Sequence, residues 1–149
     1  MIRALCSLII VIAIAGCGSG GNSLYGSLSE VYDLGYDTVS VSEIGSFIVI
    51  EYDLANGGKT AKLSVDLNGL VPTAGEMITL TDLVDNSPRG TLERIVDMTI
   101  ELPIQTGTLV LNDALTVGQS VSGHFATTLS NPNGRTLDGD FKATLVKLQ

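Results

Sequence analysis

From residue 24 to the C-terminus, apolar and polar residues alternate in short runs separated by glycine and asparagine. Lys62-Leu63-Ser64-Val65-Asp66-Leu67 sets Leu63, Val65 and Leu67 on one face and polar groups on the other, the two-residue period of a strand buried on one side. Thr106 to Asn112 repeats the scheme with Leu109 and Leu111. Ser46 to Tyr52 differs, because Phe47, Ile48, Val49 and Ile50 follow one another without a polar break. Such an unbroken run predicts a central strand covered on both faces. Asn56-Gly57-Gly58 lies between two of these runs and predicts a hairpin turn, since asparagine and glycine tolerate positive φ. Asn68-Gly69 and Asn133-Gly134 predict two further turns by the same chemistry.

The pattern predicts strands over 24–32, 37–42, 46–54, 60–67, 76–81, 90–101, 107–112, 119–129 and 137–147. Only Thr91 to Ile100 offers a helical alternative, with Leu92, Ile95, Val96 and Ile100 on one stripe. Its β-branched residues and the lack of a C-cap favour strand. Many short strands punctuated by turn signals predict an all-β fold, an antiparallel β-sandwich with barrel-like closure as the alternative. Near the C-terminus, Gly123-His124-Phe125-Ala126-Thr127-Thr128-Leu129 parallels Gly139-Asp140-Phe141-Lys142-Ala143-Thr144-Leu145 across an Asn131-Pro132-Asn133-Gly134 turn. Two copies are too few for a repeat architecture. They read instead as one hairpin whose strands share core residues, each glycine making room for a neighbouring ring.

The N-terminus departs from this alternation. Met1-Ile2-Arg3 carries a single positive charge, and Ala4 to Ala15 is apolar except for Cys6 and Ser7. That run falls short of the roughly 20 residues that span a bilayer as a helix, and its layout is that of a secretory signal peptide. The run ends in Ile14-Ala15-Gly16-Cys17, which resembles the lipobox of bacterial lipoproteins. The resemblance covers Met1 to Cys17 and implies a diacylglycerol on the Cys17 thiol and cleavage just before it. The expected organisation is a signal peptide at 1–16, lipidated Cys17 with a flexible tether at 17–23, and a single β-sandwich domain at 24–149. Gly18-Ser19-Gly20-Gly21-Asn22-Ser23 is uncharged and flexible in composition. Residue 18 is glycine rather than the aspartate that holds Gram-negative lipoproteins at the inner membrane. The resemblance therefore implies the cell envelope, with the outer membrane as destination in a Gram-negative host.

Charge and cysteine content narrow the function. The chain has 8 basic and 16 acidic residues; without Arg3 the mature part carries 7 against 16, a formal charge of −9. An acidic surface disfavours nucleic acid and basic contact with anionic lipid. Cys6 leaves with the signal peptide and Cys17 is taken by lipid, so residues 18–149 contain no thiol for a disulfide, a nucleophile or a cysteine metal site.

Candidate chemistry is sparse. His124 is the single histidine, enough in number for a Ser–His–Asp relay, but no Gly-x-Ser-x-Gly elbow accompanies it. Alternation sets it opposite the Phe125 face, where an exposed, unpaired side chain is expected. Asp82, Asp85 and Asn86 offer oxygen donors of the kind calcium takes, although the run lacks the glycine and terminal glutamate of an EF-hand loop. A solvated loop is the simpler expectation there. Asp138 and Asp140, two apart, suit an exposed acidic strand edge that discourages aggregation. Tyr25, Tyr32, Tyr36 and Tyr52 gather in the first third of the chain. Tyr32 and Tyr36 flank a turn at Asp33-Leu34-Gly35, and their rings are the candidates for stacking against a glycan or small ligand. The leading expectation is a non-catalytic structural or interaction module that binds an envelope partner and needs no cofactor. Glycan binding is second, and a hydrolase built on carboxylates or on serine with His124 is third.

Overall fold

The computed structural model describes residues 21–149; the signal peptide expected at 1–16 and Cys17 lie outside them. Twelve strands follow in order: β1 Ser23–Tyr25, β2 Thr38–Ile44, β3 Phe47–Asp53, β4 Lys59–Asp66, β5 Met77–Thr79, β6 Leu83–Val84, β7 Ser87–Pro88, β8 Gly90–Ile95, β9 Thr99–Glu101, β10 Ile104–Leu111, β11 Ser120–Leu129 and β12 Thr136–Leu148. The class is the all-β sandwich that the alternation predicts. Strands pair along the path β5-β10-β11-β12-β2-β3-β4-β8-β9, with β1 beside β12. The path ends at β5 and β9 without joining them, so the sandwich does not close into a barrel.

The thirteen residues of β12 serve both sheets. Its first part pairs antiparallel with β11 and β1, and Leu145–Leu148 pair parallel with Val41–Ile44 of β2. That parallel pair corrects the all-antiparallel expectation. Side chains alternate identically in parallel and antiparallel strands, so the pattern carries no trace of the difference.

Leu63, Val65, Ile48, Ile50 and Tyr52 from one sheet meet Leu109, Phe125, Leu137 and Phe141 from the other in one buried core. The glycines of the β11–β12 hairpin make that packing possible. Gly123 stands opposite Phe141, and Phe125 opposite Gly139. A methyl on Gly123 would lie 2.6 Å from Phe141 Cζ, and one on Gly139 would lie 2.7 Å from Phe125 Cζ and 2.6 Å from Tyr52 Oη. Each ring therefore fills the space left by the glycine across from it, as the paired-strand reading of the repeat requires.

Two predicted strands are broken. The 24–32 run is β1 followed by Gly26 at φ 134 and a short 3-10 turn at Ser27–Glu30. At that φ a side chain is disfavoured, and a Cβ on Gly26 would press 2.8 Å from the Thr136 carbonyl carbon. The turn drives Leu28 into the core at 1% exposure. Residues 31–36 then cross from one sheet to the other, and Leu34, Tyr32 and Tyr36 pack onto the core as a cap over one end. The 90–101 run is a hairpin, β8 and β9 paired antiparallel, so its helical alternative does not form. Among the described residues no helix is long and apolar enough to cross a membrane.

β3 is central, between β2 and β4, but its outer face is only partly covered. Val49 is 4% exposed, whereas Phe47 beside it is 40% exposed. Farther along the same face the charges neutralise one another: Lys59 Nζ lies 2.7 Å from Asp53 and 3.1 Å from Glu51. Burial alone would lower the Lys59 pKa, but hydrogen bonds and charge from Asp53 and Glu51 outweigh it and hold it above the ordinary lysine value.

Candidate functional site

The densest polar constellation lies on the outer face where β1, β12, β11 and β10 run side by side. The hairpin register sets His124 directly across from Asp140, and β1 sets Ser23 on the other side of the same aspartate. His124 Nδ1 lies 2.9 Å from Asp140 Oδ1, and the Ser23 hydroxyl donates to Asp140 Oδ2 at 2.6 Å. From inside the sandwich the Tyr52 hydroxyl donates to the Asp140 carbonyl at 2.7 Å. Burial, then Tyr36 and Asp140 nearby, push the Tyr52 phenol far above its ordinary pKa, so it stays protonated and donating.

The expectation of an unpaired His124 is therefore corrected. Alternation placed the imidazole on the outer face correctly, and the register supplied its partner. A hydrolytic relay needs serine hydrogen-bonded to histidine and histidine to aspartate. Here the aspartate stands in the middle and takes the Ser23 proton donor itself, an order that holds strands together and leaves Ser23 unactivated. The acidic-edge reading of Asp138 and Asp140 is also corrected, because β12 is flanked on both sides at these positions. Asp138 accepts from the Thr127 backbone N–H at 3.2 Å. Tyr25 stands opposite Asp138, and its phenol pKa is raised first by burial and then by the charges of Asp140 and Asp138.

At the foot of this face Asp113 accepts from the Ser122 hydroxyl at 2.7 Å and from the Ser122 backbone N–H at 2.9 Å. Those bonds hold its carboxyl below the ordinary aspartate pKa. A pKa lowered by folding means the interaction is intact at neutral pH and lost as pH falls through that lowered value. Carbonyl-detected NMR titration is expected to show an Asp113 midpoint below the normal aspartate range, which Ser122→Ala returns towards normal. A normal midpoint in the wild type would contradict the contact.

The two tyrosines singled out from sequence are half-buried parts of the end cap. Arg94 lies over the Tyr32 ring at 5.2 Å from its centroid, and Tyr36 stands edge-on to Tyr52 at 5.0 Å. Each ring is engaged by a different neighbour within the fold. Asp85 and Asn86, at φ 50 and 65, form the two-residue turn of the β6–β7 hairpin. Positive φ at both positions is the signature of a type I′ turn, which asparagine and aspartate tolerate well. Asp82 contributes its backbone carbonyl to the Arg89 N–H at 2.7 Å. Among the described residues, no three His, Cys, Asp or Glu side chains gather as a metal site.

Sequence reasoning missed the Ser23–Asp140–His124 cluster because the β1 pairing spans 117 positions. No family model matches the chain, and neither a curated protein nor a solved structure matches it.

Proposed function

We propose that this chain is a lipid-anchored bacterial envelope protein whose β-sandwich is a non-catalytic structural or interaction module. The observation that carries the reading is Ile14-Ala15-Gly16-Cys17 at the end of a short apolar run with a basic start, followed by an uncharged Gly/Ser-rich tether. The fold supports it: β1 begins six residues after Cys17 and is held on β12 by paired backbone and by the Ser23–Asp140 bond, so an anchor on Cys17 connects directly to the centre of the sandwich. The side chains support binding rather than bond-breaking, since His124 and Ser23 share the Asp140 carboxylate as strand ties. One acyl chain holds a protein to a bilayer marginally, at about 0.8 kcal/mol per buried methylene, whereas two or three make attachment durable.

Growing cells labelled with a clickable palmitate analogue test the anchor. Wild type is expected to take up label and fractionate with membranes, the outer membrane in a Gram-negative host, and Cys17→Ala to lose both. Unlabelled wild type would return the chain to a freely exported β-domain. The interaction role is tested separately by envelope pull-down against a tether-only control, where failure to enrich any partner counts against it.

A further inference from the structure

Outward-facing positions on β12 change character along its length. Asp138, Asp140 and Lys142 are followed by Thr144, Val146 and Leu148. Val146 and Leu148 are 49% and 47% exposed. They stand beside Ser42 and Ile44 of β2, which in turn face Val49 and Phe47 of β3. Ile44 and Phe47 are each 40% exposed, with Val49 buried beneath them. These side chains form a continuous apolar surface, not single residues scattered over the molecule, and such surfaces mark contact with another apolar phase. The unbroken Phe47–Ile50 run calls for two covers; the core provides one, and among the described residues the other is incomplete, with Val49 buried but Phe47 40% exposed.

The course of the N-terminus identifies that cover. β1 runs antiparallel to β12, with Tyr25 at Asp138 and Ser23 at Asp140. One residue earlier, Asn22 accepts the Lys142 backbone N–H at 2.5 Å. The described chain ahead of Ser23 therefore reaches β12 at Lys142, four positions before Val146. Gly21 is four steps along the chain from Cys17, and Val146 four steps from Lys142, spans of about 14 Å and 13 Å at most. Cys17 can thus lie beside the apolar surface, and the tether is too short to hold it far away. Lys147, next to Val146 in the chain, pairs with Glu43, its Nζ lying 3.4 Å from the carboxylate.

We propose that the sandwich end bearing Ile44, Phe47, Val146 and Leu148 rests on the bilayer that holds Cys17, giving the domain a second, apolar membrane contact and a fixed orientation. The proposal rests on the lipid-anchor reading. It is tested with the acylated full-length protein in phosphatidylethanolamine–phosphatidylglycerol vesicles. With Cys17 acylated, a single added cysteine is the only free thiol. Phe47→Cys, Leu148→Cys and, at the far end, Met98→Cys are each labelled with a polarity-sensitive fluorophore. The replaced side chains are all partly exposed, and circular dichroism identical to wild type verifies that each variant folds. Lipids carrying a nitroxide near the headgroup are expected to quench positions 47 and 148 several-fold more than position 98, with a blue shift at the first two. Equal quenching at all three overturns the bilayer contact while leaving the anchor intact. Disulfide cross-linking between Leu148→Cys copies that rises with protein density, without quenching, assigns the surface to a second copy and also overturns it. Intact-mass analysis lacking acyl groups on Cys17 overturns the anchor and this proposal together.

Discussion

Gly139→Ala is expected to destabilise the sandwich by about 3 kcal/mol, the upper end for overpacking a full core. The new methyl would contact Phe125 Cζ at 2.7 Å and Tyr52 Oη at 2.6 Å, both well inside van der Waals distance. Neither neighbour can retreat easily. Phe125 is fully buried, and the Tyr52 hydroxyl is tied to the Asp140 carbonyl. Gly123→Ala meets the Phe141 ring in the same way, together with the Val110 carbonyl, and is expected to cost a similar amount. For a domain of this size the melting temperature should fall by about 10 °C, measured by calorimetry or urea unfolding. Phe125→Leu, which removes the ring, should recover part of the Gly139→Ala loss in the double variant. Strict additivity would mean that the ring and the glycine are not coupled, and wild-type stability in Gly139→Ala would refute the reciprocal packing outright.

The glycine–ring pairs were legible in the sequence because hairpin partners share a local register. Strands from β2 to β4 and from β10 to β12 were legible for a related reason. All but β3, with its unbroken apolar run, alternate apolar with polar residues, and Asn-Gly turns follow β3, β4 and β11. What failed depends on contacts between distant parts of the chain. Residues 24–32 look like a strand, yet Gly26 turns the backbone away so that Leu28 can enter the core. His124 looks unpartnered because its partner Asp140 belongs to the strand beyond the turn, and alternation defines a face without defining what stands opposite on it. Asp85-Asn86 offers donor chemistry as the lesser alternative to a solvated loop, and its backbone requirement, positive φ at both residues, accounts for the residue types. Phe47–Ile50 reads as a strand covered on both sides; the core covers Ile48 and Ile50, but Phe47 on the outer face is 40% exposed. Sequence cannot say whether the second cover is part of the same chain.

Leu28→Ala carries the other large expected effect, about 3 kcal/mol, within the range for truncating a buried leucine and leaving a cavity. Its consequence extends beyond stability, because Leu28 is the peg that fastens the N-terminal segment to the core. The surrounding bonds are weaker and partly open to water: Ser27 and Thr136 exchange amide and hydroxyl bonds at 3.1 and 2.9 Å, and Arg135 reaches the Ser27 carbonyl at 3.1 Å and the Glu30 carboxylate. β1 itself is three residues long, too short to hold by backbone pairing alone. Without the leucine side chain, Ser23–Tyr25 should open far more often than β11 or β12. Hydrogen exchange is expected to accelerate at Leu24 and Tyr25 beyond what the global loss explains, whereas Ser27→Ala should cost only about 1 kcal/mol. If exchange at β1 tracks the global stability in both variants, then β1 unfolds only with the whole sandwich, and the link between tether and core does not depend on the Leu28 peg. If β1 is released selectively, Leu28 is the main fastening of the N-terminal segment, and the Ser27–Thr136 and Arg135 bonds do not hold it without that side chain.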